Sequence, residues 1–210
     1  MRYPTYALCL LLLCTGCKKQ SEAELLYGKW QLTRGSFLYI DSTAQWRTDT
    51  ALTVWHSRET AMDFYYQQWT FAETYSHSQQ VPRRTETDAH CEVFMTLQPS
   101  GQARNEVYLE KTEEREFENH QLVAMKAIHL PAEQTIEQKR WTVANNQLCL
   151  EGGWPALFPT TVTDFNITAL SANRLLLSAE TTSLQRSYPF EPYARCTSQR
   201  LKIKMEFRKE

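Results

Sequence analysis

Three thiols in the body of this chain could carry covalent chemistry: Cys91, Cys149 and Cys196. In an oxidising compartment, three thiols allow one disulfide and leave one thiol over. The hairpin pattern around Cys149 turns that side chain outward, and Cys91 and Cys196 each precede a strand. A disulfide between Cys91 and Cys196 is therefore favoured, and three free thiols remain the alternative.

Residues of catalytic or metal-binding type do not form a recognisable motif. The five histidines stand apart, and the His90-Cys91 pair is too close in sequence to define a zinc site. The chain has no Gly-x-Ser-x-Gly elbow, no glycine-rich phosphate loop and no paired-carboxylate motif. We therefore expect neither an enzyme nor a bound metal or cofactor.

Aromatic side chains are the other set that could form a site, since the chain has six Trp and ten Tyr. Tyr65, Trp69, Tyr75 and Trp141 are candidates to line a pocket for an apolar or ring-bearing ligand. The alternative is that these side chains fill the core of the domain.

Composition limits the class of partner. The 210 residues suit one folded domain after removal of a leader, and the formal net charge is only -1. Such a chain has no basic field to hold a phosphate backbone. Nucleic acid is therefore not expected as a partner.

The N-terminus has the pattern of a secretory leader, with Arg2 followed by an apolar run that is too short to span a bilayer as a helix. The stretch Cys14-Thr15-Gly16-Cys17 then resembles the lipobox of bacterial lipoproteins, in which the cleaved cysteine is linked to diacylglycerol. The resemblance implies a signal peptide over 1–16 and a lipid anchor at Cys17. An ordinary signal peptide, with Cys17 incidental, is the alternative.

The residues after Cys17 bear on localisation. The resemblance implies a hydrated tether over 17–25 that joins the anchored cysteine to the folded domain. In Gram-negative lipoproteins an Asp after the cysteine usually retains the protein in the inner membrane, and this chain has Lys18 there. We expect the outer membrane, with the periplasmic or surface face left open.

The pattern of apolar and polar residues in the body of the chain predicts antiparallel strands. In the last stretch, Leu201, Ile203, Met205 and Phe207 alternate with charged residues, which predicts a strand with one buried face. The first stretch places Gly28, Trp30 and Leu32 on one face, and Gly35 is a candidate for a bulge. About eight to ten such strands with short turns predict an all-β, antiparallel up-and-down barrel.

One hairpin can be read residue by residue. A two-residue turn at Asn145-Asn146 suits positive φ, and it pairs Val143 with Leu148 and Trp141 with Leu150 on the inner face. The same register sets Thr142 opposite Cys149 on the outer face.

Two segments fit the strand pattern less directly. Residues 41–68 contain both a helix-like and a strand-like stretch, and such an insertion could cap one mouth of the barrel. Residues 110–120 are rich in charge and predict a solvated hairpin end.

The order of these patterns resembles a lipocalin-like domain of Gram-negative lipoproteins. The resemblance begins with Gly28-Lys29-Trp30 in the first strand, continues through the Trp141 hairpin and ends with Phe207-Arg208. It implies a lipocalin-like (calycin-type) barrel over 26–210. In that family the tryptophan of Gly-x-Trp plugs the closed end and an arginine near the last strand stacks on it. The resemblance therefore implies that Arg208, or else Arg200, covers Trp30, a structural role that cation-π attraction would support.

Two functions are consistent with this sequence. The first is a membrane-anchored lipoprotein that binds or carries a small apolar ligand inside the barrel. The second is a solid-core scaffold that binds another protein of the cell envelope and no small molecule. An aromatic-lined cavity of several hundred Å3 would favour the first, and an interior filled by side chains would favour the second.

Overall fold

The protein has an all-β fold. The computed structural model describes residues 21–47, 53–78, 80–128, 130–153, 162–190 and 193–210. Within these ranges eleven antiparallel strands form one sheet, which is more than the eight to ten expected from the sequence. The elements are α1 (Glu22–Leu26), β1 (Gly28–Arg47), β2 (Thr53–Tyr65), β3 (Gln68–His77), β4 (Gln80–Leu97), β5 (Gln102–Glu118), β6 (Gln121–Ala127), β7 (Glu133–Ala144), β8 (Gln147–Leu150), β9 (Asp164–Leu170), β10 (Arg174–Phe190) and β11 (Tyr193–Lys209).

Eight of these strands close into a ring. The order around the ring is β1, β11, β10, β9, β8, β7, β5 and β4, and the pairing of β4 with β5 completes it. Most neighbours in the ring follow one another along the chain, which is the connectivity of a meander. The fold is therefore barrel-like, and the β2–β3 hairpin and β6 are additions to the ring.

Strand β1 changes partner along its length, and this change defines two ends of the molecule. Gly28–Gln31 pair with Phe94–Leu97 of β4, whereas the residues from Arg34 onward pair with β2. The β2–β3 hairpin thus fills a gap that opens between β1 and β4. We call the end of the ring at Gly28 the closed end and the opposite end the open end.

Pairing across the ring stops toward the open end. Strand β9 pairs with β10 only up to Ser178, and beyond that residue β10 pairs with β11 alone. On the other side, Glu113–Glu118 of β5 pair with β6. Among the described residues no strand joins β10 to β6, so the open end is a sheet with two free edges.

The inner face of the ring is apolar near the closed end. Leu201, Ile203, Met205 and Phe207 of β11 are buried, whereas Lys204 between them is exposed. This alternation confirms the period of two that the sequence predicted.

The central hairpin has the predicted register. Asn145 and Asn146 have φ of 52° and 61°, as a tight turn between twisted strands requires. Trp141 pairs with Leu150, Val143 with Leu148, and Thr142 with Cys149. Trp141, Leu148 and Leu150 are buried on the inner face, as predicted.

The bulge in β1 also lies close to its predicted place. The register shifts between Leu32 and Arg34, so that Thr33 rather than Gly35 is the extra residue. Its hydroxyl donates to the backbone carbonyl of Glu206 at 3.1 Å, and its own carbonyl accepts the backbone N–H of Tyr66 at 3.0 Å. The bulge therefore keeps its polar groups satisfied.

The two segments left open by the sequence are both extended. Within 41–68, strand β1 continues to Arg47 and β2 begins at Thr53, so the helical interpretation of this segment is wrong. The segment lengthens the wall of strands, because β2 pairs with β1 and β3 through regular antiparallel ladders. Residues 110–120 include the β5–β6 turn at Asn119 and His120, which confirms a hairpin end.

Candidate functional site

The closed end of the ring is sealed by Trp30. This side chain is fully buried, and its indole Nε1 donates to the carbonyl of Leu26 at 2.7 Å. Leu26 is the last residue of α1, a short helix fixed by a capping box between Ser21 and Glu24. Because the helix lies directly under the indole, the start of the domain is held at the closed end.

The cation over Trp30 is Lys209, not Arg208. The Lys209 ammonium lies 5.0 Å from the centre of the indole and donates to the carbonyl of Leu25 at 3.1 Å. Arg208 pairs in register with Gln31 and is exposed, because alternation along β11 puts it on the outer face. Arg200 is exposed as well and lies 3.4 Å from Glu180.

Among the described residues, side chains of the apolar core leave little free space next to β1 and β2. The space between β1, β2, β3 and β11 measures about 20 Å3, which is room for about one water molecule. Trp69 lies at this space and stacks on Phe71, with ring centres 5.6 Å apart. The other lining residues are Leu32, Gly35, Ser36, Phe37, Met62, Phe64 and Met205.

The aromatic residues predicted to share a pocket lie in different places. Trp69 is in the interior, whereas Trp141 is nearer the closed end and donates from Nε1 to the carbonyl of Gln98 at 3.0 Å. Tyr65 is on the outer face and 51% exposed, and Tyr75 lies toward the open end and is 46% exposed. The structure does not bring these four side chains together around one ligand.

A wide cavity lies on the outside of the ring. We call it the outer groove; it has a volume of about 650 Å3 and runs across β2, β1, β11, β10 and β9. It begins at the β1 bulge, where Gly35 and Ser36 leave room between larger neighbours. Its lining residues are Arg34, Gly35, Ser36, Asp63, Phe64, Tyr65, Thr168, Arg174, Leu176, Leu177, Ser178, Lys204, Met205 and Glu206.

The outer groove carries two cations without a carboxylate partner. Arg174 is paired with Glu206 at 2.8 Å. The Arg34 guanidinium instead lies 5.1 Å from the centre of the Tyr65 ring, and neither Arg34 nor Lys204 forms an ion pair with any described residue. Asp63 and Glu206 also line the groove, so it combines an aromatic and aliphatic surface with three cations and two carboxylates, a formal net charge of +1.

Toward the open end the inner face becomes polar. Arg58 forms an ion pair with Glu73 on the neighbouring strand, and the Tyr75 hydroxyl donates to the same carboxylate at 3.0 Å. The pKa of Tyr75 is raised, mainly by burial and to a smaller extent by the hydrogen bond to Glu73. The hydrogen bond to Glu73 likewise raises the pKa of Arg58.

A second cavity lies within this polar region. We call it the open-end cavity; its volume is about 340 Å3, and it lies where β9 stops pairing with β10. Burial and then the charge of Asp41 raise the pKa of Tyr39, which forms part of its wall. Its lining residues are Tyr39, Val162, Thr163, Asp164, Thr181, Ser183, Gln199 and Leu201.

The predicted disulfide does not form, and all three described cysteines are free. Cys91 is buried with Val93 and Met95 on the inner face, whereas Cys196 follows the outward register of β11. A disulfide between Cys91 and Cys196 is therefore wrong, because the two side chains point to opposite faces of the sheet.

The thiol environments differ. Burial, and then the charge of Glu92, raise the pKa of Cys91 to about 12. A hydrogen bond with Asp164 is the main cause that raises the pKa of Cys149. Both shifts disfavour the thiolate, so neither thiol is set up as a nucleophile.

The described residues contain no cluster of three or more potential metal ligands. His90 comes within 3.7 Å of Glu92, and His129 lies outside the described residues. No helix in the described ranges has the length and apolar character needed to cross a membrane. The leader and Cys17 also lie outside the described residues.

A scan against protein-family models and a search of curated proteins find no match for this chain. Three features of the described structure bear on function: a tightly packed apolar core, an outer groove and a polar open end.

Sequence reasoning did not find the outer groove or the open-end cavity. The groove follows from the β1 bulge, which Gly35 indicates locally, and from the alignment of five strands, which has no local signature. The polar open end does have one: along β10, the inward positions change from Leu175 and Leu177 to Thr181 and Ser183.

Proposed function

We propose that the protein is a lipid-anchored lipoprotein of the cell envelope with a lipocalin-like barrel that binds a partner protein on its outer surface. The filled interior is the observation that carries this proposal. Pockets for small molecules usually measure about 300–1,000 Å3, whereas the space inside the apolar core measures about 20 Å3. The barrel thus serves as a scaffold, because the space that lies among these described core residues is too small for an apolar ligand.

The outer groove is the proposed contact surface. Its volume of about 650 Å3 accepts several side chains of a partner. Tyr65 and Leu176 supply an aromatic and an aliphatic contact. Arg34 and Lys204 supply two positive charges against the single carboxylate of Asp63, because Glu206 is paired with Arg174. The groove fits an acidic segment of a partner that also carries apolar side chains.

A lipid anchor at Cys17 fits the placement of the domain. Cys17 lies four residues before Ser21, which caps the helix under the closed end. Four residues span about 14 Å at most, so an anchored Cys17 holds the closed end near the lipid surface. The open end then faces away from the membrane, and the outer groove on the side wall stays accessible.

Site-directed photo-crosslinking in cells of the native host tests the contact. We place p-benzoylphenylalanine at the half-buried Leu176 in the groove and, as a control, at the exposed Gln134 on β7. The expected result is a discrete protein adduct at Leu176 and none at Gln134. The adduct should disappear when Arg34 and Lys204 are both changed to Glu.

A second variant controls for the change of charge. Arg140→Glu reverses an exposed cation remote from the groove, and it should leave the Leu176 adduct intact. Equal crosslinking at Leu176 and Gln134 would overturn the proposal. So would a Leu176 adduct that persists when Arg34 and Lys204 are both changed to Glu. Retention of an apolar small molecule by the extracted protein in native mass spectrometry would favour carriage instead.

A further inference from the structure

The open-end cavity is separate from the outer groove. The groove lies on the outer face, whereas Tyr39, Thr181, Ser183, Gln199 and Leu201 all have the inward register. Thr181 pairs with Leu201 and Ser183 with Gln199, so these residues form two adjacent rows across β10 and β11. The third wall comes from the residues that lead into β9.

The groups in this cavity are polar and uncharged, with one exception. Thr163, Thr181 and Ser183 offer hydroxyls, and Gln199 offers an amide that can both donate and accept. Asp164 is the single carboxylate in the lining, and no Lys, Arg or His lines the cavity among the described residues. The lining itself therefore lacks a cation for an anionic ligand, and the nearby Arg58, whose charge acts on Tyr39, is already paired with Glu73.

The cavity also has an apolar side. Leu201 and Val162 are buried, and the ring of Tyr39 adds an aromatic surface. A saccharide presents both kinds of surface, because its hydroxyls donate and accept at the ring edge while its C–H groups form apolar faces. A volume of about 340 Å3 is at the small end of ligand pockets, which suits one or two sugar rings.

Several of these groups are already held in place. The Thr163 hydroxyl donates to Asp164 at 2.8 Å, and Ser183 lies 3.5 Å from the amide oxygen of Gln199. The raised pKa of Tyr39 keeps its phenol protonated and able to donate. Groups fixed before binding lose less entropy when a ligand arrives.

We propose that the open-end cavity binds a neutral saccharide of one or two rings. The site uses none of the groove residues, so it is independent of the protein partner proposed above.

Ligand-observed NMR with the folded, full-length protein tests the site. The probes are glucose, N-acetylglucosamine and its β-1,4-linked dimer, with glucuronate as the anionic comparison, each at about 10 mM, which detects even millimolar affinity. Saturation transfer to at least one neutral probe, stronger than to glucuronate, is expected. No transfer to any neutral probe, or a preference for glucuronate, would overturn the proposal.

Variants locate the binding. Thr181→Val with Ser183→Ala removes two hydroxyls from the cavity and should weaken binding about tenfold or more. Thr182→Val is the matched control, because Thr182 is exposed and points away from the cavity on the same strand. Circular dichroism establishes that both proteins are folded. Binding that survives the double change, or is lost with Thr182→Val, would overturn the assignment.

The protein contact at the outer groove and the saccharide site in the open-end cavity can be tested independently of each other. Changing Arg34 and Lys204 to Glu should abolish the groove adduct and leave saccharide binding unchanged. Loss of saccharide binding in that groove variant would contradict the placement of the sugar in the open-end cavity.

Discussion

The ammonium of Lys209 lies 5.0 Å from the centre of the Trp30 indole and is fixed there by a hydrogen bond to the carbonyl of Leu25. One side chain thereby connects the last strand, the first strand and the helix that precedes it. The first and last elements of the described domain are thus joined at the closed end of the ring.

Removal of this cation should destabilise the domain. Lys209→Met keeps much of the aliphatic chain but loses the cation-π contact and the hydrogen bond, for an expected loss of about 1–3 kcal/mol. Urea unfolding followed by tryptophan fluorescence measures it. Arg208→Met is the control and should change stability by less than about 0.5 kcal/mol, because Arg208 is exposed. A larger effect at Arg208 would restore the arginine to the role that the resemblance implied.

Gly28 should be intolerant of a side chain for two reasons. Its φ is +122°, and a Cβ would come within 2.7 Å of Lys209 Cε. Gly28→Ala should cost about 1–3 kcal/mol in backbone strain alone and should also push Lys209 away from Trp30. Gly152→Ala is the control, with positive φ but no atom within 4 Å of the added carbon.

A double-mutant cycle separates the two reasons. In a Lys209→Ala background the collision is absent, so Gly28→Ala should cost less than it does in the native chain. Equal costs in both backgrounds would show that the backbone, not Lys209, explains the need for glycine.

Much of the fold could be predicted from the sequence because its signals are local. The alternation at Leu201 to Phe207 and the Asn145-Asn146 turn each specify a strand and a register without information from elsewhere. The cation over Trp30 was missed although the same alternation indicates it. Because Phe207 faces inward, Lys209 two residues later shares its face and Arg208 lies on the opposite one, whereas the resemblance had directed attention to an arginine.

The candidate sites depend on longer-range geometry. The outer groove contains residues from five strands that are far apart in sequence, such as Arg34 and Lys204. The prediction that four aromatic side chains share one pocket was wrong. Side-chain type alone does not distinguish the buried Trp69 from the exposed Tyr65.

Cys91 should resist thiol reagents in the native protein. Its pKa is raised to about 12, mainly by burial, so almost no thiolate forms at pH 8. In a variant with Cys149 and Cys196 both changed to Ser, labelling of Cys91 by iodoacetamide, read by peptide mass spectrometry, should become rapid only in denaturant.

The same shift predicts a loss of stability at high pH. The unfolded thiol titrates near its ordinary pKa of 9.0 and the folded thiol near 12. The contribution of Cys91 to stability is therefore complete below pH 9 and is lost as pH rises toward 12. Cys91→Ala should remove this part of the pH dependence. Rapid native labelling at pH 8 would contradict the burial of this thiol.

The hydrogen bond between Tyr75 and Glu73 should be visible in a tyrosine titration. Burial and the Glu73 carboxylate both raise the pKa of Tyr75, so Glu73→Gln should lower that pKa toward its ordinary value. NMR of ring-labelled tyrosine between pH 8 and 12 follows the change. Glu59→Gln on the outer face of β2 is the control and should leave the titration unchanged. An unaltered Tyr75 in the Glu73 variant would show that burial alone sets its pKa.

Cys17 should carry the acyl chains that hold the closed end at the membrane. Each buried acyl CH2 contributes about 0.8 kcal/mol, so two or three chains give stable anchoring. Cells grown with labelled palmitate should incorporate the label into the native protein, and Cys17→Ser should lose both the label and the membrane fraction. Cys14→Leu is the control, because Leu is the residue that the lipobox pattern prefers there, and it should keep the label. Label retained by Cys17→Ser, or a native protein that fractionates without the membrane, would contradict the anchor.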